Sequence, residues 1–194
     1  MWFGSKTARL SAFTPSDSVR DCQLAAAAAN IWRVDFRKKI IPWGKLAEWR
    51  EERRGRKQRL VATNGCFDIL HVGHATYLEA ARNQGDALLV GLTNDRWVRD
   101  IKGPGRPINE ENDRALMLAA LQSVDAVCIF PDKTALNFLA RVKPDIYVKG
   151  GDYTLDTLVQ EERRLLEDAK VKIVILPHVP GKSTTGLLEK IARL

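Results

Sequence analysis

The sequence predicts an α/β protein, a doubly wound five-stranded parallel sheet with an N-terminal extension. Three observations carry this reading. From Arg59 onward, short apolar runs alternate with amphipathic stretches. The apolar runs are near-continuous, as strands buried on both faces require, and do not alternate with polar residues. Each is followed by a segment long enough for a helical crossover, and such crossovers are right-handed.

In chain order, residues 59–63 (RLVAT) read as the first strand, and 75–82 as a helix closed by Gly85. Residues 87–93 (ALLVGLT) form a second, fully buried strand. A helix over 110–122 follows, with Asn109 placed to cap it. Residues 125–130 (DAVCIF) are the third strand, and a helix over 133–141 stops before Pro144. The remaining elements are a strand at 146–149, a helix at 157–169, a strand at 172–176 (KIVIL) and a last helix at 184–194. In such a sheet, ligands sit beyond the C-terminal ends of the strands.

Residues 1–58 are expected to be an extension to a main domain at 59–194. Residues 1–30 are rich in Ser, Thr, Pro and Ala and hold no period. Residues 45–54 (KLAEWREERR) suit a helix with Leu46, Trp49 and Ala47 on one face, ended by Gly55. Four of the five tryptophans (Trp2, Trp32, Trp43, Trp49) lie here. A strap packed on the main domain explains them; a flexible interaction arm is the other reading.

Composition narrows the function classes. The chain has 194 residues, 45% of them hydrophobic, enough for a real core. Apolar runs such as 24–29 fall far short of the ~18–20 residues that span a bilayer. Net charge is +7, but residues 1–59 hold 14 Lys and Arg against 6 Asp and Glu, while 60–194 hold 17 against 18. The hint of nucleic acid in a basic chain is thus confined to its first third. Cys22, Cys66 and Cys128 form no C-x-x-C, which argues against a disulfide framework or zinc knuckle and for a reduced, cytoplasmic setting. The N-terminus shows no clean signal peptide, and three histidines exclude a multi-histidine metal cage.

The chemistry concentrates in residues 64–74, NGCFDILHVGH, between the first strand and the first helix. Asn64-Gly65 suits a tight turn. The following amides and the helix N-terminus suit an anion. Gly73 lets a phosphate approach the backbone. His71 and His74, three apart, share a face of a helical turn and can donate to a departing oxygen. The plainer readings are a structural βα-turn glycine and half a metal site completed by Cys66 or Asp68. Farther on, Lys102, Arg106 and Arg114 suit a substrate phosphate, against the plain reading of a solvated basic loop. Lys149-Gly150-Gly151-Asp152 follows a strand and opens a second backbone approach. Gly181-Lys182-Ser183-Thr184-Thr185 precedes the last helix as another phosphate cradle, without Walker A spacing.

The block NGCFDILHVGH resembles the signature of the cytidylyltransferase-like nucleotidyltransferases, Rossmann-like proteins whose H-x-G-H holds a nucleotide triphosphate. The resemblance continues through GLTND (91–95), KGPGRP (102–107), DRALMLAAL (113–121), KPDIYVKGGDY (143–153) and GKSTTGLL (181–188). Within the family this series is most similar to adenylyltransferases acting on a heptose 1-phosphate. It departs at Thr93-Asn94-Asp95, where Asn-Ser-Asp is common, at Trp97, where a small residue is usual, and near Lys170, where a glycine is usual.

The resemblance implies transfer of AMP from ATP to D-glycero-β-D-manno-heptose 1-phosphate, giving ADP-heptose and pyrophosphate. It makes His71, His74 and Lys182 catalytic. It assigns the nucleotide to Asn64, Gly65, Cys66, Phe67, Asp68, Gly73, Lys149, Gly150, Asp152, Ser183, Thr184 and Thr185. Lys102, Arg106 and Arg114 take substrate phosphate. It implies Mg²⁺ held mainly by ATP phosphates and water, with no protein metal site, and a homodimer with neither membrane nor nucleic-acid partner. The alternatives are a cytidylyltransferase using glycerol 3-phosphate or ethanolamine phosphate, a silent nucleotide-binding regulator, and a nucleic-acid module built on residues 1–59.

Overall fold

The computed structural model describes residues 35–151, 153–177 and 180–194. Expectations for residues 1–34 and for Asp152 lie outside these. Five strands form one sheet: β1 (Leu60–Gly65), β2 (Ala87–Thr93), β3 (Ala126–Phe130), β4 (Ile146–Gly150) and β5 (Lys172–Leu176). Their order is β3-β2-β1-β4-β5 and every pairing is parallel. The helices are α1 (Leu46–Gly55), α2 (Val72–Arg82), α3 (Asp95–Lys102), α4 (Glu111–Ala120), α5 (Leu136–Val142), α6 (Gln160–Asp168) and α7 (Thr184–Ile191). No helix among the described residues is long and apolar enough to cross a membrane.

The sheet is doubly wound, as expected, and each face has its own core. On one face Leu46 of α1, Phe138 and Leu139 of α5 and Leu166 of α6 pack on the strands. On the other, Leu78 and Ala81 of α2 meet Ala115, Leu118 and Ala119 of α4. Complete burial of both faces explains the unbroken apolar strands: all seven residues of β2 are buried. Chain direction across the sheet reverses between β1 and β4, because β2 and β3 build outward on one side and β4 and β5 on the other. That reversal leaves a crevice beyond the C-terminal ends of β1 and β4.

Residues 36–58 belong to the same compact unit, which runs Phe36–Leu194. Ile40 bridges to Val127 of β3, and the Ile41 amide donates to the Val127 carbonyl at 2.8 Å. Leu46 is fully buried, Trp49 packs against the core, and Ala47 points to solvent. The second buried position on α1 is Arg50, whose Nη2 lies 3.0 Å from Asp145 Oδ2 and whose Nε donates to the carbonyls of Val142 and Lys143.

Three local expectations are corrected. Asn64 and Gly65 are not the turn: they continue β1, in register with Gly91 and Leu92. The chain turns at Phe67, whose φ is 44°. Asn109 does not cap α4, because its Nδ2 donates to the carbonyl of Asp68 at 2.7 Å and Glu110 holds the N-cap position. Helix α3 is additional. Asn94 caps it by accepting from the Trp97 amide at 3.0 Å, but Val98 is its one buried residue.

An aspartate precedes each of β2, β3 and β4 and fastens the neighbouring strand. Asp86 Oδ2 accepts from the Arg59 amide, Asp125 Oδ2 from Leu88 and Asp145 Oδ2 from Leu60, at 2.8, 2.8 and 2.7 Å. The edge amides of the sheet are thereby satisfied opposite the end that carries the crevice.

Candidate active site

Beyond the C-terminal edge of the sheet lies a cavity of about 470 Å³. Its walls come from the ends of β1, β2 and β4, the first turn of α2 and the segment leading into α7. On one side stand the two histidines. His71 is the N-cap of α2, in an extended conformation, and His74 lies in the first turn. Their rings stack with centroids 4.0 Å apart and planes 26° apart. Phe67 packs on His74, centroids 5.4 Å apart, and the Phe67 ring covers Gly65. Burial, and then the charge of His71, hold the His74 pKa down to about 4. Its Nδ1 is buried with no hydrogen-bond partner among the described residues.

Gly73 makes this arrangement possible. A Cβ there would stand 3.0 Å from the His71 ring and 3.1 Å from Cβ of Lys182. The missing side chain lets Lys182 lie over the start of α2, so a cation and the positive end of a helix dipole share one wall with both imidazoles. Of the other residues of this segment, Thr184 lines the cavity and its Oγ1 donates to the Ile69 carbonyl at 3.4 Å. Ser183 and Thr185 are exposed and outside the lining; Ser183 Oγ caps α7 by accepting from the Gly186 amide at 3.0 Å.

The floor is a buried polar group around Lys149, whose Nζ reaches the Asn64 carbonyl (3.4 Å) and sits 4.8 Å from the Tyr153 ring. Burial lowers the Lys149 pKa, with Glu162 acting against it. Tyr147 donates to Asn64 Oδ1 at 2.6 Å. Gly150 lines the cavity and leaves its space to the ring of Tyr77, which a Cβ would overlap. Tyr77 joins β1 to β4, sharing a 2.6 Å hydrogen bond with Thr63 Oγ1 and donating to the Val148 carbonyl at 3.1 Å.

The three basic residues expected at a substrate phosphate separate. Lys102 is exposed and lines the cavity. Arg106 lines it too, with Nε donating to Asp68 Oδ2 at 2.5 Å. Arg114 does not reach it. Its side chain is 0% exposed, donating to the carbonyls of Cys66, Thr93 and Asn109 and to Asp95 Oδ1. A guanidinium has five donors in a fixed fork, and this one ties together the loops after β1 and β2 from behind. Asp68 is likewise occupied: Oδ2 holds Arg106 and Oδ1 accepts from the amides of Ile108 and Asn109, at 2.8 and 3.0 Å. No group of three or more His, Cys, Asp or Glu that could hold a metal occurs among the described residues. Cys66 lines the cavity as a free, half-buried thiol.

Two charged lining residues escape sequence reasoning. Lys133 approaches from the loop after β3, 2.6 Å from Asp100 Oδ2 and 5.8 Å from the Trp97 ring. Glu162 comes from α6, 3% exposed, its Oε1 accepting from the Ala135 amide at 2.7 Å. Burial raises its pKa, against the Ala135 amide and Lys149. The one signal for Glu162 is its spacing: Leu158, Glu162 and Leu166 recur every fourth residue, and all three are buried.

Known proteins resemble this chain. A family model described as cytidylyltransferase-like matches residues 62–188. The bifunctional protein HldE of Methylobacillus flagellatus is 45% identical over 148 residues, 76% of this chain and 29% of that protein. That of Mesorhizobium japonicum is 49% identical over 146 residues, 75% of this chain and 28% of its own. This chain therefore spans under a third of the length of these two relatives. Among solved structures, the lipopolysaccharide core biosynthesis protein of Thermoplasma volcanium superposes with a TM-score of 0.52 at 28% identity, covering 63% of this chain and 97% of that one. Pantoate-beta-alanine ligase of Francisella tularensis shares the fold, with a TM-score of 0.50 at 14% identity, 80% of this chain and 79% of that one. With the stacked histidines of its H-x-G-H at the crevice of a doubly wound sheet, this chain belongs to the cytidylyltransferase-like family of nucleotidyltransferases.

Proposed function

We propose that the chain is an adenylyltransferase that moves AMP from ATP to a sugar 1-phosphate, D-glycero-β-D-manno-heptose 1-phosphate, releasing ADP-heptose and pyrophosphate. The observation that carries the transfer chemistry is the wall shared by His71, His74, Lys182 and the first turn of α2. Four sources of positive potential or N–H donation converge where a triphosphate would lie. The choice of sugar draws on the resemblance of the VKGGDY and KSTT blocks. A solved relative named for lipopolysaccharide core biosynthesis agrees with it.

An oxygen of the sugar phosphate attacks the α-phosphorus. The new P–O bond forms as the bond to the bridging α–β oxygen breaks, and the electron pair leaves with pyrophosphate. The attacking phosphate is already ionised at neutral pH, so no general base is required. Catalysis is alignment and charge neutralisation. Neutral His74 donates an N–H to the leaving oxygens, and His71 and Lys182 neutralise them. ATP enters as its Mg²⁺ complex, the ion held by phosphates and water, in keeping with an Asp68 whose oxygens are both engaged.

The test is pyrophosphate release across a matrix of ATP and CTP against heptose 1-phosphate, glycerol 3-phosphate and ethanolamine phosphate. ATP with the heptose phosphate is expected to give the highest kcat/KM. Preference for CTP with a phospho-alcohol, or binding of ATP with no release in any mixture, overturns the reading.

A further inference from the structure

The cavity holds one group that phosphate chemistry does not explain. A carboxylate facing a site for polyphosphates repels them, yet Glu162 is buried in the lining among groups that serve anions. Its backbone contact uses Oε1 alone. The Tyr147 hydroxyl donates to Asn64 Oδ1 at 2.6 Å and also faces Glu162, while Lys149 counters the carboxylate's charge. The Lys149 ammonium is turned to the Asn64 carbonyl and the Tyr153 ring. Two carboxylate oxygens can accept about four hydrogen bonds, so acceptor capacity remains on Glu162 that a neutral ligand with hydroxyl donors can use.

The placement says which ligand. Helix α2, with both histidines, packs on one face of the sheet; α5 and α6 pack on the other. In an in-line displacement the attacking and leaving oxygens lie on opposite sides of the phosphorus. If pyrophosphate departs toward His71, His74 and Lys182, the acceptor approaches from the side of α5 and α6, where Glu162 stands. Tyr153, 43% exposed in the loop after β4, adds an aromatic face to the same lining. A carboxylate for hydroxyls and a ring for a C–H face together suit a carbohydrate.

We propose that Glu162 and Tyr153 form the subsite for the hydroxylated body of the acceptor, Glu162 accepting hydrogen bonds from sugar hydroxyls and Tyr153 packing on the ring; this rests on the sugar-phosphate reading above. Glu162 then sets specificity for a polyol over a plain phospho-alcohol, while the phosphate is gripped elsewhere.

The test is steady-state pyrophosphate release by the full chain with Glu162→Gln, which keeps an acceptor for the Ala135 amide and removes the charge. KM for heptose 1-phosphate is expected to rise about tenfold or more, with KM for ATP within about twofold of wild type. Monodeoxy analogues give a second readout that a merely structural role would not move. The analogue lacking the hydroxyl held by Glu162 is poor for the wild type and loses nothing further in the variant. A sugar KM within about twofold of wild type, or a parallel rise in both KM values, overturns the subsite and leaves the adenylyltransferase reading standing. Wild-type turnover only with ethanolamine or glycerol phosphate overturns both. Should Glu162→Gln fail to fold, Tyr153→Ala on the exposed loop reads the same subsite: a rise of about fivefold in sugar KM supports it, and a rise in ATP KM alone overturns it.

Discussion

The imidazole of His71 stacks on that of His74 at 4.0 Å, and only one of the two can easily carry charge. Burial and His71 hold the His74 pKa to about 4, so His74 is neutral at pH 7. A neutral imidazole gives a directed N–H without a second cation to desolvate. His74→Ala is expected to lower kcat by about 10²–10³, the loss of one oriented donor to a transition-state oxyanion. Far-UV circular dichroism should show the fold intact. Turnover within about threefold of wild type removes His74 from the mechanism.

The same depressed pKa makes stability depend on pH. Between the ordinary value of 6.5 and the folded value of about 4, the unfolded chain takes up a proton that folded His74 refuses. The stability that neutral His74 contributes is present above 6.5 and is lost as pH falls toward 4. Thermal melts stepped through that window should show Tm falling with pH. His74→Gln should flatten the slope. Identical slopes in the two proteins assign the titration to another group.

Gly73→Ala tests how closely the wall is built. Its Cβ would stand 3.0 Å from the His71 ring and 3.1 Å from Lys182 Cβ, both tighter than ordinary packing. The helix itself welcomes alanine, so the fold should hold or gain slightly. The displaced imidazole and lysine should nonetheless cost about 10²-fold in kcat, the scale of a 1 Å misplacement. Equal activity with equal Tm would mean that His71 and Lys182 have room to spare.

Much of this architecture is legible in the sequence, for one reason. Strands buried on both faces, such as 87–93, leave an apolar run that nothing else explains. The H-x-G-H segment is equally visible, because strand, turn and helix start are contiguous in the chain. What stays hidden depends on long-range placement. Arg114 has the charge of a phosphate ligand, but carbonyls 21 and 48 residues earlier draw it inward. Glu162 reaches the cavity from a helix with no motif of its own. Helix α3 is eight residues long and buries a single residue, so its short apolar face of Trp97, Val98 and Ile101 is easily passed over. Asp86 and Asp145 look like ordinary turn residues, and Asp125 like the first residue of a strand, until the sheet brings all three opposite a neighbouring strand's amide.

Arg114 gives the largest expected loss of stability. Truncating it to methionine leaves three carbonyls and Asp95 without their donor in a buried setting. Breaking a buried charge pair in this way costs about 3–5 kcal/mol. Arg114→Lys should be nearly as harmful, since an ammonium cannot reproduce the fork. Urea denaturation measures both, and a loss below about 1 kcal/mol in each would show that the guanidinium does not brace these loops.

Lys170 lies near the point where the resemblance leads one to expect a glycine, and its backbone is one that glycine adopts without strain. Its φ is 57°, in the left-handed region, just past the end of α6. The Val171 amide returns to the Leu166 carbonyl at 2.9 Å and the Lys170 amide to Glu167 at 2.9 Å, closing the helix. A side chain in that conformation costs about 1–2 kcal/mol, against which glycine loses some of its greater freedom in the unfolded chain. The Lys170 side chain is exposed, so its removal forfeits no packing. Lys170→Gly should therefore stabilise the protein by about 0.5–1 kcal/mol in urea, with kcat and both KM values unchanged. Lys57→Gly, at φ 56° beyond α1, is the internal control and should gain a similar amount. If neither variant is more stable than wild type, both left-handed turns are relaxed for lysine.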